Sequence, residues 1–328
     1  MNVAEKEKVW IPLNGNPVRS LCWQGDDLVD WAGGGTRFKM DGSMIRAGIH
    51  WAYRFDRAVT SGDGRYQIIY ETLGTKGLVI RDNKCIREIN RSFYHAHVYE
   101  YPLVIFHLPD GRVAIAHCPN DYNRIEIEEI ETGQKLTMRE GESADLFHSR
   151  LQVSPDSEYL LSSGWVWHPL DAVQLFRVRD ALQNPTVLDK STRLELPEEL
   201  FEVHAAAFQS NNSIIMVGDN GGEPGEDGPF LIQYYHREGR VILKTGIQEV
   251  AGTLMPVNSE YVMGFFEHPK LIEIASGKVV QSWPELNSGK QNSSIILDRE
   301  MLPPLALDPA RKRFAVAAAN GITVIQLE

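Results

Sequence analysis

The chain has 328 residues, 43% of them hydrophobic and 23% charged, enough apolar material for a substantial core and too little charge density for wholesale disorder. The formal net charge of −11 argues against a general nucleic-acid or anionic-membrane binder, and no stretch approaches the ~18 apolar residues of a membrane-spanning helix. The start, MNVAEKEKVWIPLNG, has charges where a secretory leader would carry its apolar run, and Cys22, Cys85 and Cys118 are odd in number and far apart. We therefore expect buried thiols, no disulfide framework and a cytoplasmic protein.

In chain order, Lys8 to Leu13 alternates in the manner of a strand. Seven loosely similar units follow, each a polar turn running into a short apolar strand: QGDDLVDWAGG, SGDGRYQIIYE, LPDGRVAIAHC, SPDSEYLLSSG, QSNNSIIMVGD, PVNSEYVMGFF and DPARKRFAVAAANG. Their strands begin at Leu28, Tyr66, Val113, Tyr159, Ile214, Tyr261 and Phe314. The mean interval of about 48 residues suits a four-stranded propeller blade. The expectation is an all-β, seven-bladed β-propeller forming one domain over residues 1–328.

Two units show the strand logic. Leu103 to Phe106, the turn Leu108-Pro109-Asp110-Gly111 and Arg112 to His117 make a hairpin. Arg124 to Glu131 then alternates isoleucine with glutamate, which reads as a strand whose glutamates face solvent. Leu151 to Val153, the turn Ser154-Pro155-Asp156-Ser157, the run from Tyr159 and the alternation from Asp171 to Val178 repeat the scheme. Residues 179–201 depart from it. Arg179 to Gln183 suits a helical turn ended by Asn184-Pro185, and Pro197 to Leu200 suits a second helix start. An extended outer strand with a linker is the alternative we favour there. The chain closes with Gly321 to Leu327, leaving the seventh unit short of an outer strand that Lys8 to Leu13 can supply.

Leu151-Gln-Val-Ser-Pro-Asp-Ser-Glu-Tyr-Leu-Leu-Ser-Ser-Gly164 resembles the WD-repeat β-propeller family, as do His148 and His204 ahead of first strands. No unit ends in Trp-Asp, so the family's histidine–aspartate network is not carried over.

Propeller connectivity sorts the loops onto two faces. The second-to-third-strand loops share one face with the segments leading into each blade. That face carries the irregular sequence: Gly33-Gly34-Gly35, Cys118 to Tyr122, Trp165 to Pro169, Gly218 to Pro229 and Glu267 to Pro269. The expected partner-binding residues are Trp165, Trp167, His168, Asp219, Glu223, Glu226, Asp227 and His268. An exposed indole pair would anchor a contact, and carboxylates would steer a basic protein. The loop's acidic side chains lack the spacing of a calcium loop, His95 and His97 lack a third ligand, and no cofactor or metal is expected.

There is no GxSxG, Walker A or HExxH pattern. The functional expectation is a non-catalytic protein-interaction platform for a basic partner, one version being a neutraliser of a basic toxin or nuclease. The alternative is a metal-dependent or lactonase-like enzyme at the channel mouth, with His50, His97, His148, His204 and Glu249 as candidates. Their unequal registers argue against convergence.

Overall fold

The computed structural model describes all residues except 1–2, 16, 168–169, 191–193, 195, 197–201, 221–228 and 297–301. Its strands form seven separate antiparallel sheets, five of four strands and two of three. The fold is a seven-bladed β-propeller. The second strands are Asp27–Asp30, Tyr66–Tyr70, Val113–His117, Tyr159–Val166, Ser213–Asp219, Tyr261–Gly264 and Arg313–Ala317, each starting within one residue of the sequence reading.

The polar turns explain this regularity. In blade 2, Ser61 donates its hydroxyl to Asp63, while Arg65 N–H donates to the same carboxylate at 3.1 Å and Tyr66 N–H donates to Ser61 Oγ at 3.0 Å. Blade 4 repeats the scheme with Ser154, Asp156, Glu158 and Tyr159. The fourth turn residue has positive φ in both, 70° at Gly64 and 58° at Ser157. In these two blades a short serine–aspartate turn closes the hairpin through local hydrogen bonds.

Packing follows from the second strands. Adjacent residues point to opposite neighbours, because side chains alternate across a strand. Ile68 packs between blades 2 and 3, and Ile69 between blades 1 and 2. Leu160 and Leu161, Ile214 and Ile215, and Phe314 and Ala315 divide in the same way. Seven apolar clusters result, one at each blade interface.

The last interface is closed by the first strand. Glu5–Pro12 pairs antiparallel with Gly321–Leu327, with Val9 opposite Val324 and Ile11 opposite Ile322. Ile11 and Leu13 are fully buried. Trp283 Nε1–H donates to Glu5 at 2.6 Å and Lys8 meets Glu285 at 2.6 Å, tying the strand to blade 6 as well.

Three local expectations are corrected. Glu126 and Glu128 are buried, not wetted. Blade 3 has no fourth strand, and Thr137 and Arg139 from the following segment cover that side, at 3.0 Å and 3.4 Å from Glu126. Glu128 accepts from Arg87 of blade 2 at 2.9 Å. Its pKa falls to about 2 because, although burial raises it, the contacts to His117 and Arg87 prevail. Cys85 lies exposed on the outer strand of blade 2, whereas Cys22 and Cys118 are buried and all three are free. After blade 4, the expected turn is a helix, Val178–Gln183, followed by a 3-10 helix, Pro185–Asp189, in place of an extended outer strand. Asp189 pairs with Arg139 at 2.7 Å and binds this segment to blade 3. The expected helix start at Pro197 to Leu200 lies outside the described residues.

The linker from blade 6 to blade 7 had no signature in the sequence. It reaches the approach to blade 3 on the loop-rich face, where Ile295 bridges Tyr99 and Ile296 N–H donates to Val98 at 2.8 Å. Leu302 and Pro303 then line the central channel, a cavity of about 370 Å³ that Arg57, Glu100 and Arg150 also border.

Deleting residues 1–13 exposes the Gly321–Leu327 edge and uncovers the interface between blades 7 and 1. Size-exclusion chromatography and thermal melting should show aggregation and a lower Tm. A monomeric truncated protein with the full-length Tm contradicts this account of closure.

Candidate functional site

The loop-rich face carries an aromatic cluster built from four connections. Phe93 to Tyr99 precedes blade 3, Tyr122 lies between its second and third strands, Phe147 precedes blade 4, and Trp165 ends that blade's second strand. Arg91 fixes the first segment from below. It is buried, donates to Gly74 O at 2.7 Å and Tyr99 O at 3.0 Å, and lies over the rings of Tyr99 and Tyr101. Ala96 N–H donates to Phe93 O and Val98 N–H to His95 O, and His95 takes a positive φ of 51°. This tight turn lifts residues 93–95 from the core.

Beneath them, Phe147 is stacked between Trp165, at 3.8 Å, and Tyr122, at 4.1 Å. Gly164 permits the arrangement, since a Cβ there would lie 1.9 Å from Phe147 O. Tyr122 donates its hydroxyl to Asp145 at 2.7 Å. Burial first, and then the Asp145 hydrogen bond, push its pKa up to about 12 and keep it a donor. Above this floor, Trp167 meets His95 edge-on at 5.1 Å and Tyr94 lies 4.9 Å from Tyr122. Phe93 is 85% exposed, Tyr94 45% and Trp167 41%.

The structure therefore gives the two tryptophans different exposures. Trp165 is only 4% exposed, a stacked core residue unable to anchor a partner as part of an exposed pair. Trp167 follows the strand in a turn and meets Trp165 edge-on at 5.6 Å, but its own ring stays 41% exposed. The exposed companions of Trp167 are Phe93 and Tyr94, which sequence reasoning missed because they lie between repeat units. The one available signal was the aromatic run Phe93-Tyr94-His95 itself.

A charged cluster occupies the same face at the junction of blades 4 and 5. His204 makes hydrogen bonds through Nδ1 to Asp171 at 2.9 Å and through Nε2 to Asp219 at 2.8 Å. Burial lowers the ring's pKa, but the two carboxylates outweigh that effect and hold it at about 9. Glu202 also accepts from Asp171 N–H at 3.3 Å. Asp171, Glu202 and His204 could bring ligand atoms within 4.8 Å of one another. With both nitrogens engaged by carboxylates, however, the ring is an imidazolium, and a metal would have to displace a proton. Local charge is three carboxylates against one cation.

Asp219 thus joins His204 and Asp171, while His268 lies apart on blade 6, half-buried. His168, Glu223, Glu226 and Asp227 lie outside the described residues. The enzymatic candidates do not converge. His148 is buried against Ser162 Oγ at 3.0 Å, with burial pulling its pKa down to about 3. Glu249 pairs with Lys270 at 2.7 Å, and His50 and His97 are exposed.

No protein-family model and no curated protein matches the sequence. Solved structures do. A chain of Kuenenia stuttgartiensis hydrazine synthase aligns with 96% of this chain and 97% of its own, at 13% identity and a TM-score of 0.60. A chain of the mitotic checkpoint complex aligns with 99% of this chain and 96% of its own, at 12% identity and a TM-score of 0.56. The likeness is one of fold. Among the described residues, no helix is long and apolar enough to cross a membrane.

Trp165→Ala should cost about 3–5 kcal/mol of stability in denaturant unfolding, as for other buried aromatics, whereas Trp167→Ala should cost about 1 kcal/mol. Equal effects would contradict the different burial of the two indoles.

The raised pKa of His204 gives a second expectation. Its stabilising contribution is fully present below the unfolded value of about 6.5 and is lost as pH rises through about 9, with a ceiling near 3 kcal/mol. Wild type should therefore exceed His204→Gln in stability at about pH 6 and converge with it toward about pH 10. A pH-independent difference would contradict a charged ring.

Proposed function

We propose that this chain is a non-catalytic protein-binding platform that engages a basic partner through the loop-rich face. The observation that carries the proposal is the exposed pair Tyr94 and Trp167, 6.3 Å apart on a stacked aromatic floor, with Phe93 exposed next to Tyr94 in the chain. Exposed large aromatics held in place are typical interface anchors, because they bury much area at small cost in side-chain entropy. Asp121 and Asp145 flank them, and the Asp171–Glu202–Asp219 cluster shares the face. Lysine or arginine side chains of a partner would find both ring faces and carboxylates there. A propeller fold suits such a role. Three free cysteines support a reducing compartment such as the cytoplasm.

The enzyme alternative has less behind it. The carboxylate–histidine cluster is its strongest support, and there both nitrogens of His204 are already engaged by carboxylates. The remaining candidate acids and bases are scattered.

Affinity capture from the native cell, followed by binding measurements on the isolated partner, tests the proposal. Phe93→Ala with Trp167→Ala should weaken binding by about 2 kcal/mol or more, roughly 30-fold, with the fold unchanged. Asp121→Asn with Asp145→Asn should chiefly slow association at low salt. The proposal fails if the aromatic double variant binds normally while substitutions at Asp110 and Asp156, on the opposite face, abolish binding.

A further inference from the structure

A second feature of the loop-rich face lies away from the aromatic cluster. Between the approaches to blades 1 and 2 and the blade 6–7 linker is a cavity of about 540 Å³, within the range of small-molecule sites. Three arginines border it: Arg19 on the approach to blade 1, and Arg54 and Arg57 at the start of blade 2. Arg19 and Arg54 are exposed and Arg57 is half-buried. None of their guanidinium groups forms an ion pair with a described carboxylate, although the protein as a whole carries a charge of −11.

Two carboxylates, Asp56 and Glu71, also border the cavity. Asp56 Oδ1 is already engaged, accepting from Thr72 N–H and Thr72 Oγ–H at 2.8 Å each. Among the described bordering residues the balance is one net positive charge. The backbone beneath the arginines is fixed. Asp30 is buried, and its carboxylate accepts from Arg19 N–H at 3.0 Å, Ser20 N–H at 2.9 Å and Gly33 N–H at 2.8 Å. Asp56 N–H donates to Tyr70 O at 3.1 Å. The guanidinium groups thus start from held positions while their own donors stay open.

The rest of the wall is apolar, formed by Phe55, Leu73, Ile296, Leu302 and Pro303. A free inorganic anion would leave that wall unused, and a neutral hydrophobe would leave the arginines unpaired. Guanidinium forks match carboxylate and phosphate oxygens in pairs. We infer that this cavity is a binding site for a small amphipathic organic anion, a carboxylate or phosphate head held by Arg19, Arg54 and Arg57 with an apolar or aromatic body against Phe55, Leu73 and Leu302. The cavity meets the central channel at Arg57, Leu302 and Pro303, which border both. A molecule bound there would rest against the linker that crosses toward blade 3. The site is independent of the protein-binding surface.

Isothermal titration of the full chain with phenyl phosphate, phenylacetate and benzyl alcohol tests the inference. The first two probes distinguish a phosphate head from a carboxylate head, and the third lacks the charge. At least one anion should bind, with benzyl alcohol at least tenfold weaker. Arg19→Gln with Arg54→Gln, both at exposed positions, should weaken the anion at least tenfold while the Tm of the unliganded protein stays unchanged. Arg54→Lys should retain part of the affinity. The inference is overturned if neither anion binds wild type at millimolar concentration, if benzyl alcohol binds as tightly, or if the double variant binds the anion normally. The comparison of probes on wild type stands whatever the variants do.

Discussion

The structure depends on second strands that are buried on both faces. Each gives one row of side chains to the preceding blade and the next row to the following blade, as Ile68 and Ile69 do. No blade can bury both rows alone, so each requires two neighbours, and the requirement ends only when the last blade meets the first. Pairing of Glu5–Pro12 with Gly321–Leu327 meets it. Loop geometry on the exposed face then rests on a ring whose blades cannot slide independently.

Rigidity at the core explains why both candidate sites lie on one face. The turns on the opposite face are short, and those at Ser61 and Ser154 are closed by their own serine–aspartate hydrogen bonds. The loop-rich face holds the longer connections, which carry Phe93, Tyr94 and Trp167 on one side and Arg19, Arg54 and Arg57 on another. Buried groups hold these connections. Arg91 secures the aromatic segment through backbone carbonyls, and Asp30 secures the approach to blade 1 through backbone amides.

What the sequence made legible was local. The repeated polar turns and the apolar runs behind them give the seven units, and the missing outer strand of the last unit points to the first strand. Non-local partners were not legible. Glu126 and Glu128 look solvent-facing because alternation cannot show that Arg87 arrives from another blade and Arg139 from a segment folded back over the sheet. Trp165 and Trp167 do meet edge-on, but alternation cannot show that Phe147, from the segment before the blade, stacks on Trp165 and buries it. The arginine-lined cavity joins residues 19, 54 and 57 to residues 302 and 303, and no motif links those segments.

Hydrogen–deuterium exchange of the propeller with and without its captured partner tests most directly which face does the binding. The account predicts added protection at residues 91–97 and 119–124 and around Trp167, with the turns at 61–64, 108–111 and 154–157 unchanged. Protection confined to those turns, with the aromatic segments exchanging as in the free protein, would contradict it.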